Sequence, residues 1–570
     1  MLPIATRHAG WVLALVGCAL LVACAATGTG ETPVPPDVDE AVAAEDPKAL
    51  VVVGELALQR GQYVEAARAY RQAAQASDDE SVAEQATRIA FEHHQTEEMY
   101  QAALRWLELN PTSEEARRFA AFGALRLYQI EDAAEHFDQL LGSVFINPQA
   151  GFLALLPQLL EEESRVAVTA TLRELASRYP ELGEAHYALA QAALRSDNFE
   201  LALQSAQRAA ELSPYWSPAG MLLSRVQLTT EQPEAAVATA QEVVQRDPQP
   251  GNELELALIE LAAGNEEVGR EALARLAENE EAAVAAERAL ALIALQEGDF
   301  DAASERFEAL LRQGRFVYDS LFHLATIAET RGNGADALAL YARVVGGDYA
   351  VAAQSRAARL TMQSESLDAA LAQLEQFGET RPLYALDMVA AQSALLDEAG
   401  EDARALEVLD QAIERYPDSV ALRLQKSFLL ERIGRVHEAV DVLEDLYAER
   451  PHDPVVANAL GYTLVDGTRE HRRGHELIMA ALEESPDSGA ILDSAGWSLY
   501  KMRRYEEALE YLELARERIS DPEIELHIGE VEWALGRKDA AIATWRAAVE
   551  RYPGDDDLRE RLERAESRTR

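Results

Sequence analysis

Proline residues recur along the chain at an almost constant interval, and this feature limits the possible folds more than any other. Pro180, Pro214 and Pro248 follow one another at equal steps. Between two such prolines, as in residues 182–214, two stretches of helical periodicity are separated by the polar turn Ser-Asp-Asn. A later series has nearly the same spacing: Pro382, Pro417, Pro451 and Pro486. A repeat of this period predicts stacked helical hairpins rather than a single globular core.

Small and aromatic residues stand at fixed places in these units. Ala202, Ala206 and Ala209 lie where a second helix would pack closely against the first. The other residues of this type are Gly61, Tyr63, Ala66, Tyr70, Ala73, Gly298, Phe300, Ala303, Phe307, Gly496, Tyr505, Ala508, Ala515, Gly529, Gly536, Ala541, Trp545, Ala548 and Pro553. The pattern resembles the tetratricopeptide repeat (TPR), a helix–turn–helix of about 34 residues. It is weakest near 81–111, 149–180 and 350–382.

The resemblance implies an all-α fold in which a TPR α-solenoid occupies residues 47–553. About fifteen hairpins would form a right-handed superhelix with a concave groove, because each hairpin has an apolar face that only its neighbours can bury. Residues 554–570 are predicted to form a polar capping helix and tail. No sustained strand pattern is present in the sequence.

Residues 1–23 have the features of an export signal. Arg7 supplies a positive charge, and the apolar run 11–23 is shorter than the roughly 20 residues that span a bilayer. Residues 21–24 (LVAC) resemble the lipobox of bacterial lipoproteins, whose signal is cut before the cysteine. The resemblance implies a signal peptide over residues 1–23 and a lipid anchor on Cys24.

A second stretch of this type, Leu-Val-Gly-Cys, ends at Cys18 and remains an alternative. Cutting before Cys18 would leave the apolar residues 19–22 in the tether, which favours Cys24. Residues 24–46 contain three prolines and six acidic residues, and are predicted to form a disordered tether. In lipoproteins of this kind an aspartate after the cysteine often causes inner-membrane retention. Ala25 stands there, so we expect a position on the periplasmic face of the outer membrane.

The charge and the cysteine count exclude several functions. A net charge of −47 argues against nucleic-acid binding, which needs basic patches. The acidic residues have two interpretations, a solvated surface or the steering of a basic partner. Both cysteines of the chain precede residue 25, so thiol catalysis and cysteine-ligated zinc are excluded from the folded part.

No constellation of catalytic residues is evident. His93 and His94 lie among glutamates, but we interpret them as part of a solvated turn. His471 and His475 have a metal-site spacing without the glutamate that catalytic zinc sites of this spacing require. The Gly-Asn-Gly at 332–334 falls in an expected inter-helix turn rather than after a strand, so it does not indicate a phosphate-binding loop. We therefore predict that the protein is not an enzyme and has no cofactor or metal.

The first helix of each TPR lines the groove, which identifies a candidate partner-binding surface in the last repeats. The candidate groove residues are Asn458, Tyr462, Asp493, Trp497, Tyr500, Lys501, Glu530 and Trp533. An aromatic wall with a few polar groups suits an extended peptide or a docked helix. The alternative is that these rings pack between adjacent first helices.

Residues 457–553 carry a narrower resemblance, to the C-terminal repeats of a family of large Gram-negative TPR lipoproteins. The stretches concerned are ANALGYTLVD, ILDSAGWSLYKMRRYEEALEYLELA and HIGEVEWALGRKDAAIATWRAA. Well-understood members are outer-membrane adaptors that present peptidoglycan hydrolases to a periplasmic carboxyl-terminal processing protease. The resemblance implies such an adaptor, with protein partners and a lipid anchor in the membrane. Alternatives are a scaffold for exopolysaccharide or pilus export, and a solenoid that binds cell-wall synthases.

Overall fold

The chain folds into a series of antiparallel helical hairpins. The computed structural model describes residues 46–143 and 145–569, and these form 31 α-helices and one 3₁₀ turn, Pro382–Tyr384, without a strand. The α-helices are α1 Pro47–Gln59, α2 Tyr63–Gln75, α3 Glu80–Glu92, α4 Thr96–Leu109, α5 Glu114–Arg126, α6 Ile130–Ser143, α7 Pro148–Glu161, α8 Arg165–Arg178, α9 Gly183–Arg195, α10 Phe199–Leu212, α11 Ser217–Thr229, α12 Pro233–Arg246, α13 Pro250–Ala262, α14 Glu266–Leu276, α15 Ala283–Gln296, α16 Phe300–Arg312, α17 Val317–Thr330, α18 Gly334–Tyr341, α19 Ala350–Ser364, α20 Leu367–Thr380, α21 Ala385–Glu398, α22 Asp402–Arg415, α23 Val420–Arg432, α24 Val436–Glu449, α25 Pro454–Gly467, α26 His471–Glu484, α27 Gly489–Lys501, α28 Tyr505–Arg518, α29 Pro522–Ala534, α30 Lys538–Arg551 and α31 Asp556–Thr569.

Odd-numbered helices are the first helices of the hairpins and even-numbered helices are the second. The fifteen pairs α1–α2 to α29–α30 confirm the repeat count expected from the sequence. Two of the three weakest stretches also form hairpins, namely α3–α4 and α19–α20, whereas in the third α7 packs mainly against α9 and α8 mainly against α6 and α9. The predicted signal peptide and nearly all of the predicted tether lie outside the described residues.

Polar caps and turn residues fix where the helices begin and end. Asp453 caps α25 by accepting a hydrogen bond from the Val455 amide at 3.0 Å. Asn198 does the same for α10, in the turn predicted at that place. Gly61 and Gly298 have φ near +75°, which a glycine adopts without strain. Local sequence therefore sets the hairpin boundaries.

Small residues allow the two helices of a hairpin to approach closely. A Cβ on Gly529 would overlap Nε1 of Trp545, which is fully buried in α30. Gly461 and Gly496 occupy the same place on their own first helices, and a Cβ on either would also collide with the paired helix. Ala202, Ala206 and Ala209, predicted at such contacts, are completely buried. Close packing at these sites explains the residue pattern.

The final helix, α31, covers the last hairpin. Its Leu558 and Ala565 are buried in one cluster with Trp545. The guanidinium of Arg561 lies 4.2 Å from the centre of the Trp545 ring. The helix predicted as a cap therefore packs as one. None of the helices in residues 46–143 and 145–569 has the length and apolar composition needed to cross a bilayer.

Candidate functional site

Early and late hairpins contact each other although they are far apart in the sequence. The turn between α3 and α4 lies against the turn between α22 and α23, and the ring of His94 meets the Tyr416 ring edge-on at 5.6 Å. Gln95 Nε2 donates to the carbonyl oxygen of Arg415 at 3.0 Å. We call this contact the seam. The side chains and backbone atoms that form it belong to Tyr63, His94, Gln95, Glu97, Arg126, Arg415, Tyr416, Asp418 and Arg450.

Two helix ends at the seam are capped by residues from the opposite side. The N-cap residue of α4, Gln95, makes no side-chain cap of its own, and the carboxylate of Asp418 accepts from the Glu97 amide at 3.2 Å instead. At the end of α5, the carbonyl oxygen of Arg126 accepts from Nη1 of Arg450 at 2.7 Å. Negative charge at a helix N-terminus and positive charge at a C-terminus are both stabilising. The Asp418 carboxylate at the start of α4 and the Arg450 guanidinium at the end of α5 therefore each have the charge that stabilises the helix end they contact.

The predicted solvated turn at His93 and His94 is part of the seam instead. The His93 ring stacks on Tyr63 at 4.1 Å, and the guanidinium of Arg415 lies 5.2 Å from the same tyrosine ring. Burial is the main reason why the pKa values of both histidines fall below the usual value. The sequence did not reveal this packing, because the partner residues lie far along the chain.

A cavity of about 420 Å³ lies between early and late hairpins. One wall comes from α8 and the α9–α10 turn, and the other comes from the first helices α23, α25, α27 and α29 with adjoining turns. The residues that line it are Val166, Thr169, Ala170, Arg173, Ser196, Asn198, Phe428, Glu431, Val455, Asn458, Ala459, Tyr462, Glu484, Ser485, Ser488, Ala490, Ile491, Asp493, Ser494, Ile519, Asp521, Glu523 and Ile524. Apolar walls with a few polar groups are typical of binding cavities.

Three of the candidate groove residues line this cavity. Tyr462 donates its hydroxyl hydrogen to Oε1 of Glu523 at 2.7 Å. Asp493 lies 2.9 Å from Nδ1 of His527 through one carboxylate oxygen. Asn458 has a buried Oδ1 with no hydrogen-bond partner. The structure therefore places Asn458, Tyr462 and Asp493 together at a cavity that the sequence did not predict.

Trp497, Tyr500 and Lys501 form a separate cluster beside the cavity. The Trp497 ring stacks on Tyr500 at 4.7 Å and on His527 at 4.0 Å, and its Nε1 donates to Asp466 at 2.9 Å. Lys501 Nζ also contacts the Asp466 carboxylate at 2.9 Å. In this structure these aromatic rings pack between the first helices α27 and α29.

Glu530 and Trp533 lie at the C-terminal cap rather than at the cavity. Glu530 forms an ion pair with Arg561 of α31. The Trp533 ring has the Arg561 guanidinium at 5.5 Å and Lys538 Nζ at 5.2 Å from its centre. These two residues therefore contribute to the end of the solenoid.

The electrostatics of the cavity are dominated by carboxylates. Burial raises the pKa of Glu431, a shift that a hydrogen bond from Thr463 partly opposes. Burial alone would lower the pKa of His527, but Asp493 and the nearby carboxylates of Glu523 and Asp466 raise it overall. The pKa shift thus favours the protonated form of the imidazole next to Asp493.

The early wall of the cavity could not be found from sequence. Thr169 donates to the backbone of its own helix and contacts Ser196 at 2.9 Å. Arg173 is exposed on α8 and makes no ion pair in the described residues. The repeat pattern is weak around α8, but this weakness does not indicate which late hairpins the helix faces.

The fold and the repeat pattern agree with known proteins. A family model described as a tetratricopeptide repeat matches residues 36–81, 161–215, 288–354 and 494–556. A second model with the same description matches residues 398–461, and together they account for more than half of the sequence. The chain belongs to the tetratricopeptide repeat family.

This TPR protein is 31% identical over 209 residues to a TPR repeat-containing protein of Pseudomonas aeruginosa. The match spans 37% of this chain and only 35% of the relative. Among solved structures, the Cut9–Hcn1 hetero-tetramer of the APC/C is 14% identical, with 93% of this chain and 98% of that chain covered and a TM-score of 0.31. A TPR protein of Thermus thermophilus is 21% identical, covering 30% of this chain and 94% of that chain, with a TM-score of 0.28.

The TPR family consists of protein-binding scaffolds that are generally not catalytic. In the part of the chain that the structure describes, no group of three or more histidine, cysteine, aspartate or glutamate side chains could hold a metal ion. His475, one of the two spaced histidines, contacts the Ser498 hydroxyl at 2.7 Å, and His471 contacts backbone carbonyl oxygens. The two histidines thus have structural partners between neighbouring hairpins.

Proposed function

We propose that this TPR protein is a lipid-anchored periplasmic adaptor, without enzymatic activity, at the outer membrane. It would hold peptidoglycan hydrolases near a carboxyl-terminal processing protease. The observation that carries the binding role is the cavity, whose late wall is formed by first helices and includes Asn458, Tyr462 and Asp493. The Cys24 lipobox supports the anchor, and the resemblance of residues 457–553 to the adaptor lipoproteins supports the choice of partners.

Such an adaptor works through local concentration. Two proteins bound to one scaffold meet at an effective concentration on the order of mM, far above their free concentrations. A membrane anchor with several acyl chains would keep the pair at one surface. The adaptor itself needs only binding surfaces, which agrees with the generally non-catalytic character of the family.

Affinity capture with a soluble Cys24→Ala bait tests this function. We expect the bait to recover from periplasmic extract both a carboxyl-terminal processing protease and a peptidoglycan hydrolase. A second bait carries Phe428→Asp and Val455→Asp, which place charges on two exposed apolar side chains of the cavity. This change should reduce recovery of at least one partner.

The matched control carries Tyr215→Asp and Leu383→Asp, at two exposed apolar side chains outside the cavity. It should recover both partners as well as the parent bait does. Recovery of exopolysaccharide or pilus export components without protease would favour the export scaffold instead. Recovery of neither class would refute the adaptor function.

A further inference from the structure

The cavity combines apolar walls with an excess of negative charge. Its volume of about 420 Å³ falls within the roughly 300–1,000 Å³ typical of ligand pockets. Five carboxylate side chains line it, against one guanidinium, that of Arg173. The five are Glu431, Glu484, Asp493, Asp521 and Glu523. Charge complementarity therefore favours a cationic occupant.

These carboxylates are not equally committed to partners within the chain. Asp493 is paired with His527, and Glu523 accepts the Tyr462 hydroxyl hydrogen. Glu431 accepts a hydrogen bond from Thr463, but neither it nor Glu484 makes an ion pair in the described residues. The burial that raises the pKa of Glu431 would be offset by a cation placed beside its carboxylate. These two glutamates are accordingly the natural contacts for a positive group.

Apolar and polar contacts are available next to the two glutamates. Phe428 precedes Glu431 on α23 and is 54% exposed, and Val455 on α25 is 42% exposed. Asn458 lies one turn beyond Val455, and its buried Oδ1 lacks a donor. An apolar side chain could cover Phe428 and Val455, while the half-buried side-chain amide of Asn458 could exchange a hydrogen bond with the backbone of the same segment.

We propose that this cavity binds a short segment of a partner protein in which apolar side chains alternate with arginine or lysine. The proposal rests on the proposed function and specifies the chemistry of its docking site. The tether of the chain is a poor occupant, since residues 24–46 contain six acidic residues and one of the two walls is itself acidic. Because early and late hairpins both supply walls of the cavity, a bound segment would also connect the early hairpins with the late ones.

Binding of designed peptides to the soluble Cys24→Ala chain tests the proposal. The probes are three fluorescent peptides of equal length, which alternate leucine with arginine, leucine with glutamate, and serine with arginine. The leucine–arginine peptide should bind at least about tenfold more tightly than either of the others. Raising the ionic strength should weaken its binding, as expected for partly exposed ion pairs.

Paired substitutions identify the site. Glu431→Gln with Glu484→Gln should weaken leucine–arginine binding about tenfold or more, because two charge-assisted contacts are lost. The matched control, Glu483→Gln with Glu510→Gln, removes the same charge from residues outside the cavity and should leave affinity unchanged. Asn458→Ala should weaken binding several-fold. Circular dichroism and thermal unfolding confirm that each variant is folded.

Three results would overturn the proposal. These are no binding of the leucine–arginine peptide, equal affinity for all three peptides, and an equal loss of affinity in the cavity and control variants. If the bait still captures protease and hydrolase under any of these results, the adaptor function stands and only the nature of the docking site is wrong. If the bait captures neither protein but the leucine–arginine peptide still binds at the cavity, the adaptor function is wrong and the proposed chemistry of the docking site stands.

Discussion

Removing the guanidinium of Arg450 should open the seam. Its side chain is 9% exposed, and Nη1 donates to the Arg126 carbonyl oxygen at 2.7 Å. A hydrogen bond from a charged group contributes about 1.5–3 kcal/mol, so Arg450→Met should raise the equilibrium constant for opening roughly 10- to 100-fold. Adding Asp418→Ala removes the cap at the start of α4 and costs a further ~1 kcal/mol. Methionine retains most of the apolar stem, so packing changes little.

Distance measurement between two spin labels reports this opening. The folded part has no cysteine, so Glu92→Cys and Glu414→Cys in a Cys24→Ala, Cys18→Ala background give two defined labels, both on exposed residues near the seam. We expect one short distance in the parent and an added longer population in Arg450→Met.

The control for this measurement is Arg518→Met. Arg518 forms an ion pair with Asp487 at 3.2 Å between neighbouring hairpins, away from the seam. This variant should lose stability on heating while its label distances stay as in the parent. If the combined Arg450→Met and Asp418→Ala variant also keeps the parent distances, the seam contacts do not hold the two sides together.

Three other predictions concern packing, protonation and anchoring. Gly529→Ala should destabilise the last hairpin by about 1–3 kcal/mol, because its Cβ would collide with an indole, whereas Gly251→Ala has open space and should not lower the melting temperature. Because the pKa of His527 is raised in the folded state, its interaction with Asp493 contributes fully to the free energy of unfolding below about pH 6.5. This contribution should disappear as the pH rises through the folded-state pKa. Urea unfolding of the parent should show that loss, and His527→Gln should not. Cys24→Ala should abolish palmitate incorporation in cells, whereas Cys18→Ala should retain it; the reverse result would identify the other cysteine as the anchor.

Sequence predicted the hairpins well because their determinants are local. Gly461 and Gly529 mark close helix contacts that recur with the repeat, and the turn at 196–198 has the polar residues and the positive φ at Asp197 that end a helix. The count of fifteen hairpins followed from the period alone. Each of these features depends on residues within one unit or its immediate neighbour.

The seam and the early wall of the cavity could not be predicted in this way. Whether His94 reaches Tyr416 depends on small rotations summed over many hairpins, which no local pattern encodes. For the same reason the sequence did not show how the candidate groove residues lie relative to one another: Asn458 lines the cavity, whereas Trp533 lies at the cap. The sequence predicts which residues belong to a first helix, but not which residues of sequence-distant hairpins they contact.

The capping of α4 by Asp418 also constrains how the molecule matures. Adjacent hairpins can form as soon as both have emerged, because each contact spans few residues. The amide of Glu97 must wait for a carboxylate 321 positions later. During synthesis, the early units therefore form before this contact can be made, and the long-range closure depends on every unit in between: an insertion or loss of one of them would put the two ends out of register.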